Sequence, residues 1–130
     1  MEYLLDMAQR VKRGVRFLDR KVPMWRRVMR KHDSEFDLSD GDHCVLGTLE
    51  HRVGKLRVAA RKLHTPLECD NGFGRLARLF GIYDNTTELG FDYKTYVMWA
   101  LDEDEQAEQQ YRDLQALWRA EYLSARKNNS

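Results

Sequence analysis

Cys44, His51, His64 and Cys69 supply the side-chain types that hold zinc or build a thiolate nucleophile. Structural zinc ligands come in close pairs, and neither Cys44 with His51 nor His64 with Cys69 has the usual spacing, so no metal site is predicted. Cys44 reads instead as a small buried residue beside Val45 and Leu46. His43, next to it in sequence, points to another side of a helix, and no local pattern marks a Cys–His nucleophile pair. The fragment GFGRLA (Gly72–Ala77) fits the letters of a dinucleotide-binding turn, but the TPLECDN before it is a Pro-containing loop rather than a delivering strand. Its glycines are expected to shape a helix start, and no cofactor is expected. In DLSDGD, placing Gly41 at the sixth position of a calcium loop puts Phe36 first and Gly47 twelfth, where carboxylates are required. Those acids are assigned to a turn and a helix start. Asp102 to Glu105 have the composition of general acids or bases, yet consecutive acids at a helix start are capping groups. No catalytic residue is predicted, and the chain is read as a non-enzyme.

Charge is the one surface feature with chemical weight. Between Arg10 and Lys31 stand ten basic side chains against the single acid Asp19, whereas residues 102–130 carry more acid than base. Arg13, Arg16 and Arg20 fall on one helical face, and Arg26, Arg27 and Arg30 extend it. Such a face is a candidate partner-binding surface for an acidic protein, host or self, or for nucleic acid. A net charge of +1 for the whole chain speaks against a polycation that coats nucleic acid. The basic arm and the acidic C-terminal arm could also neutralise each other across the fold.

These residues need elements to hold them. Leu4, Ala8, Val11, Val15, Leu18 and Val22 step by four and three, predicting a helix from Tyr3 to Lys21 with Gly14 inside it. Pro23 ends it and opens a short helix, Met24 to Arg30, with Trp25 and Met29 inward. Leu46, Leu49, Val53, Leu56, Ala60 and Leu63 predict one long helix from Asp42 to Leu63, closed by Pro66. A loop over Thr65–Gly72 leads to a helix from Phe73 to Phe80 that Gly81 stops, and Thr86 is placed to cap another turn. Phe91 to Leu101 alternates with high aromatic and β-branched content, compatible with a short strand or with an extended or helical connector. Ala107, Tyr111, Leu114, Trp118 and Tyr122 make the inner face of a last helix that starts after Asp102, and 127–130 form a frayed tail.

A chain of 130 residues is about one domain. The sequence thus predicts a single, mainly α domain: a compact bundle of four or five helices with at most one short extended or β element near 91–101. Two cysteines are no disulfide framework, Glu2 and Asp6 interrupt any leader-like N-terminus, and the longest wholly apolar run, Tyr96–Leu101, is far short of a membrane span. A cytoplasmic protein with no membrane partner is expected. A long apolar stripe leaves a homodimer open.

RGVRFLDRKVPMW (13–25), CVLGTL (44–49), LFGIYDNTTELGF (79–91) and YRDLQALWRAEY (111–122) resemble, in that order, a group of small proteins of actinobacteria and actinobacteriophages. Gly14, Leu18, Pro23, Trp25, Gly47, Gly81, Tyr83, Gly90, Phe91 and Trp118 carry the resemblance. It implies a cytoplasmic, phage-associated protein and transfers no catalytic residue. The chain departs from that group between Glu50 and Arg78, where a partner-specific role could reside. The expected function is a small binding or regulatory protein that docks an acidic protein through Arg13, Arg16, Arg20, Arg26, Arg27 and Arg30. A nucleic-acid-associated regulator using the same face is the second reading.

Overall fold

Pro23 sets the first corner of the chain, because its ring removes a backbone N–H and cannot continue a helix. In this computed structural model, which describes residues 2–63, 71–92 and 103–124, α1 (Glu2–Lys21) ends before it and α2 (Trp25–Lys31) begins after it. A 3-10 turn at Asp33–Glu35 leads toward α3 (Val45–Arg52), α4 (Gly54–Leu63) and α5 (Gly72–Leu79). A second 3-10 turn at Tyr83–Asn85 precedes α6 (Glu103–Leu123). The mainly α, compact architecture expected from the sequence is present, and no strand occurs among the described residues.

Two groups of helices share one apolar core. In the first, α1 and α2 pack on α6; in the second, α3, α4 and α5 pack on one another, and α2 joins the groups through α3. The predicted stripe of α1 is buried at Val11, Val15, Leu18 and Val22, with Met7 and Phe17 added. Trp25 and Met29 of α2 and Leu114, Trp118 and Tyr122 of α6 are buried as their spacing requires. Trp118 is the meeting point. Its indole stacks on Phe91 at 5.3 Å, meets Trp25 edge-on at 5.6 Å, and donates Nε1–H to the Gly90 carbonyl at 2.6 Å. A fully buried aromatic body with its one polar atom satisfied contributes apolar burial and ring contacts at no desolvation cost.

Two glycines allow the close approaches around that indole, one to the ring itself and one between its hydrogen-bond partner and α1. A Cβ on Gly14 would overlap the Leu89 carbonyl oxygen and lie 2.9 Å from the Trp118 ring. Gly90 has φ +77°, and a Cβ there would lie 2.8 Å from the Val11 nitrogen. The segment 87–90 therefore lies directly on α1, where Arg10 and Arg13 donate to the carbonyls of Thr87 and Glu88. At the far end of α6, Arg119 forks onto both carboxylate oxygens of Asp33 at 2.8 Å, and the Tyr122 hydroxyl donates to the same carboxylate. Cross-neutralisation of the two arms takes the form of one pair, Lys12 with Glu121 at 3.3 Å, among the described residues.

The predicted long helix, Asp42 to Leu63, is instead two helices. Residues 37–44 are turns, α3 starts at Val45, and Val53 is extended at φ −101°, ψ 107°. The apolar stripe is correct, since Leu46, Leu49, Val53, Leu56 and Ala60 are all buried, but Leu63 is 53% exposed. Local propensity permits the break, because β-branched Val53 and Gly54 are both poor helix formers. The remaining helices follow the sequence within a residue or two, and Asn71 caps α5 by accepting from the Gly74 amide at 2.9 Å. Of the alternating stretch 91–101, Phe91 is buried and Asp92 accepts from the Thr87 hydroxyl; 93–101, Asp102 and the tail 127–130 lie outside the described residues.

The two kinds of glycine separate in a stability measurement. Gly14→Ala should destabilise by about 2 kcal/mol despite its better helix propensity, because the added methyl overpacks backbone. Gly54→Ala, with nothing within 4 Å of the new Cβ, should be neutral or stabilising by about 0.5 kcal/mol. Urea unfolding of the two variants checks both signs.

Candidate functional site

The six predicted partner-binding arginines divide into two sets. Arg13 donates Nε to the Glu88 carbonyl at 3.2 Å. Arg26 pairs with Asp19, whose carboxylate also accepts from Trp25 Nε1 at 2.9 Å, and its guanidinium lies 4.8 Å over the Trp25 ring. Arg30 donates to the Tyr122 carbonyl at 2.9 Å, closing an otherwise open acceptor in the last turn of α6. Arg16, Arg20 and Arg27 are exposed and form no hydrogen bond or ion pair among the described residues. Arg16 and Arg20 stand one turn apart on α1, and Lys21 and Lys31 are exposed beside the two helix ends.

A second charged cluster was not foreseen. Glu50, on α3, is 0% exposed. Arg61 of α4 and Arg75 of α5 each fork onto it: Nε of Arg75 and of Arg61 reach Oε2 at 2.9 and 3.0 Å, and their Nη2 atoms reach Oε1 at 3.2 and 3.3 Å. Burial pushes the Glu50 carboxyl up, but the hydrogen bonds from Arg75 and Arg61 outweigh it, leaving the group below its ordinary range. These forks explain the helix break. In one continuous helix the backbones of residues 50 and 61 would stand about 16 Å apart along the axis, so α4 must turn for Arg61 to reach Glu50.

The neighbouring groups are set by the same packing. A Cβ on Gly72 would lie 3.0 Å from Gly47 and 3.2 Å from Glu50 Oε1, so the GFGRLA segment is a helix start that docks closely on α3. Asp42 Oδ1 accepts from the Gly72 amide at 2.8 Å and faces His51 Nε2 at 2.9 Å. Arg61 Nη2 lies 3.1 Å from His51 Nδ1. A guanidinium only donates, so Nδ1 accepts and the imidazole proton resides on Nε2, directed at Asp42. With both nitrogens engaged, His51 links Arg61 of α4 to Asp42 of the preceding turn. Asp40 accepts from the Asp42 amide and from His43, and Asp37 holds Ser39, so the acids of DLSDGD serve the turn as expected.

Cys44 is buried and caps α3, its sulfur accepting from the Gly47 amide at 3.4 Å. Burial pushes its thiol up to about 12, so no thiolate forms there at neutral pH. His64 and Cys69 lie outside the described residues, and no group of metal-ligating side chains converges among the described ones. A cleft of about 430 Å³ opens over the cluster, bordered by His51, Arg61, Arg57, Arg52 and Thr48. No helix among the described residues is long and apolar enough to cross a membrane.

A signal for Glu50 exists in the sequence: it stands four residues after Leu46 and three before Val53, a carboxylate on the apolar stripe. Its partners carry no such mark. Arg61 and Arg75 lie eleven and twenty-five residues away, and only the break between α3 and α4 unites them.

Removing one of two guanidiniums from a buried carboxylate is costly. Arg75→Met should destabilise by about 3–5 kcal/mol in urea unfolding. Glu50, Asp33, Asp40 and Asp42 all lie below their ordinary range in the folded chain. Stability from them is thus complete above the unfolded carboxylate range and declines as pH falls below about 4.5 toward the folded values. Glu50→Gln should be less stable at neutral pH and show a shallower decline in acid.

No protein-family model matches the chain, and no curated protein or solved structure matches it.

Proposed function

We propose that this chain is a small helical binding protein whose α1–α2 face docks an acidic protein surface, with Arg16, Arg20 and Arg27 as the contacting cations. The observation that carries this reading is the division among the arginines. Arg13, Arg26 and Arg30 are committed to carbonyls and a carboxylate of the chain itself, whereas Arg16, Arg20 and Arg27 are exposed without a partner among the described residues. The committed set holds the helices still, so the free set is presented on a rigid platform and loses less entropy on docking. Guanidinium forks favour carboxylates held in fixed geometry. A net charge of only +1 supports a local contact with an acidic patch over the long-range attraction that draws a polycation to nucleic acid. In the phage setting that the sequence resemblance implies, the acidic surface belongs to a host protein.

Fluorescence anisotropy with a labelled Glu/Asp-rich peptide and with generic DNA and RNA, each at low and physiological salt, tests this. Wild type is compared with the triple variant Arg16→Glu, Arg20→Glu, Arg27→Glu. The acidic peptide should bind in a salt-sensitive manner, and the triple variant should lose at least tenfold in affinity with an unchanged melting temperature. Tighter binding of nucleic acid than of the peptide would transfer the same arginines to the regulator reading. No binding at low salt by any probe would contradict both.

A further inference from the structure

The cleft over α3 and α4 has a charge imbalance of its own. Its acids are already occupied: Glu35 pairs with Arg52 at 3.2 Å, and Asp42 is taken by His51 and the Gly72 amide. The single buried carboxylate of Glu50 answers two guanidiniums, Arg61 and Arg75. Arg57 has no carboxylate among its described contacts; its one hydrogen bond, 3.4 Å to the His51 carbonyl, is long. Among the side chains that line the cleft, Arg52, Arg57 and Arg61 stand against Glu35 and Asp42, one guanidinium in excess; Glu50 with Arg75 lies beneath them and Asp40 is paired with His43.

That excess is concentrated at one place. Arg57 and Arg61 stand four residues apart on α4, an arrangement in which like charges repel unless an anion lies between them. Both line the cleft, as do His43 and Thr48, and both are exposed residues. Arg61 is 45% exposed although two of its nitrogens hold Glu50, so its fork is fixed in direction while part of it still faces solvent. Glu50 and His51 take Nε and Nη2 of Arg61, which leaves its Nη1, held in a fixed direction beside the weakly engaged Arg57, to meet a tetrahedral oxyanion. The volume, about 430 Å³, exceeds what a bare oxyanion fills and leaves space for the group that carries it.

We propose that this cleft is a binding site for a phosphate monoester, with Arg57 and Arg61 gripping the phosphoryl oxygens and Thr48 and His43 flanking them. The site is separate from the α1–α2 face and does not depend on Arg16, Arg20 or Arg27. Occupation would neutralise the Arg57–Arg61 repulsion, so the ligand should also raise the stability of α4 against α3.

Inorganic phosphate and glucose 6-phosphate are titrated into ¹⁵N-labelled full-length protein, with chloride at equal ionic strength as the control. Both phosphates should shift amides of α3 and α4 at millimolar concentration or below, the monoester at least as tightly as phosphate. Arg57→Gln should weaken binding at least tenfold with a melting temperature equal to or slightly above that of wild type in phosphate-free buffer, and Arg57→Lys should restore only part of the binding. The Arg16, Arg20, Arg27 triple variant should bind phosphate as wild type does. Absence of shifts at millimolar phosphate, shifts that chloride reproduces, undiminished binding by Arg57→Gln, or loss of binding in the triple variant would each overturn the proposal.

Discussion

A fully buried carboxylate must be neutralised where it lies, and in this protein the requirement falls on Glu50. One guanidinium reaches it from α4 and one from α5, so the three short helices converge on a single pair of oxygen atoms. The backbone follows from that convergence. The chain breaks at Val53 because α4 has to turn back, α5 can approach closely because Gly72 carries no side chain where it meets Gly47, and the bare Gly47 admits the backbone of Gly41 and Asp42. Asp42 then ties the preceding turn to both α3 and α5. The cleft lies over this assembly, bordered by the groups that orient the charge.

The other half of the fold, where the one carboxylate forked by an arginine among the described residues is the partly exposed Asp33, is organised by shape. Trp118 lies between Phe91, Trp25 and the bare surface of Gly14, and its one polar atom is satisfied by the Gly90 carbonyl. Arginines here act at the periphery: Arg10, Arg13 and Arg30 donate to the backbone carbonyls of Thr87, Glu88 and Tyr122. Guanidiniums suit this work because they remain charged in every protein environment and offer several donors in one plane. A chain with so many basic side chains can thus spend most of them internally. Among the described arginines, Arg16, Arg20 and Arg27 on one face make no internal hydrogen bond or ion pair, and Arg57 on another makes only a long one.

Much of the architecture was readable from periodicity, because α1, α2, α5 and α6 each bury one apolar stripe, and α1 and α5 end just before residues that stop helices. Pro23 and Gly81 are local signals, and local signals survive in a sequence. The break inside the predicted long helix was not readable in the same way. Its stripe runs without interruption across Val53, and Gly54 alone is a weak reason to stop a helix; the deciding contact is between Glu50 and Arg61, which the break itself creates. The basic face illustrates the same limit. Spacing placed the six arginines on adjacent helices but could not tell which would meet carbonyls of 87–90 or Tyr122, since those partners lie far away in the chain. Asp37 and Asp40 of DLSDGD serve their turn through partners near in sequence, and the glycines of GFGRLA shape a helix start, whereas the contacts of Asp42 with His51 and the distant Gly72 amide carry no local mark.

The most direct test of the buried centre is an NMR titration of the Glu50 side-chain carboxyl in the wild-type protein. Clamped between Arg61 and Arg75, it should remain ionised below the ordinary glutamate value of 4.5 and protonate only as the fold is lost in acid. A Glu50 carboxyl that titrates at or above 4.5 in the folded protein would mean that burial outweighs the two guanidiniums. The convergence of α3, α4 and α5 on that group would then need another cause.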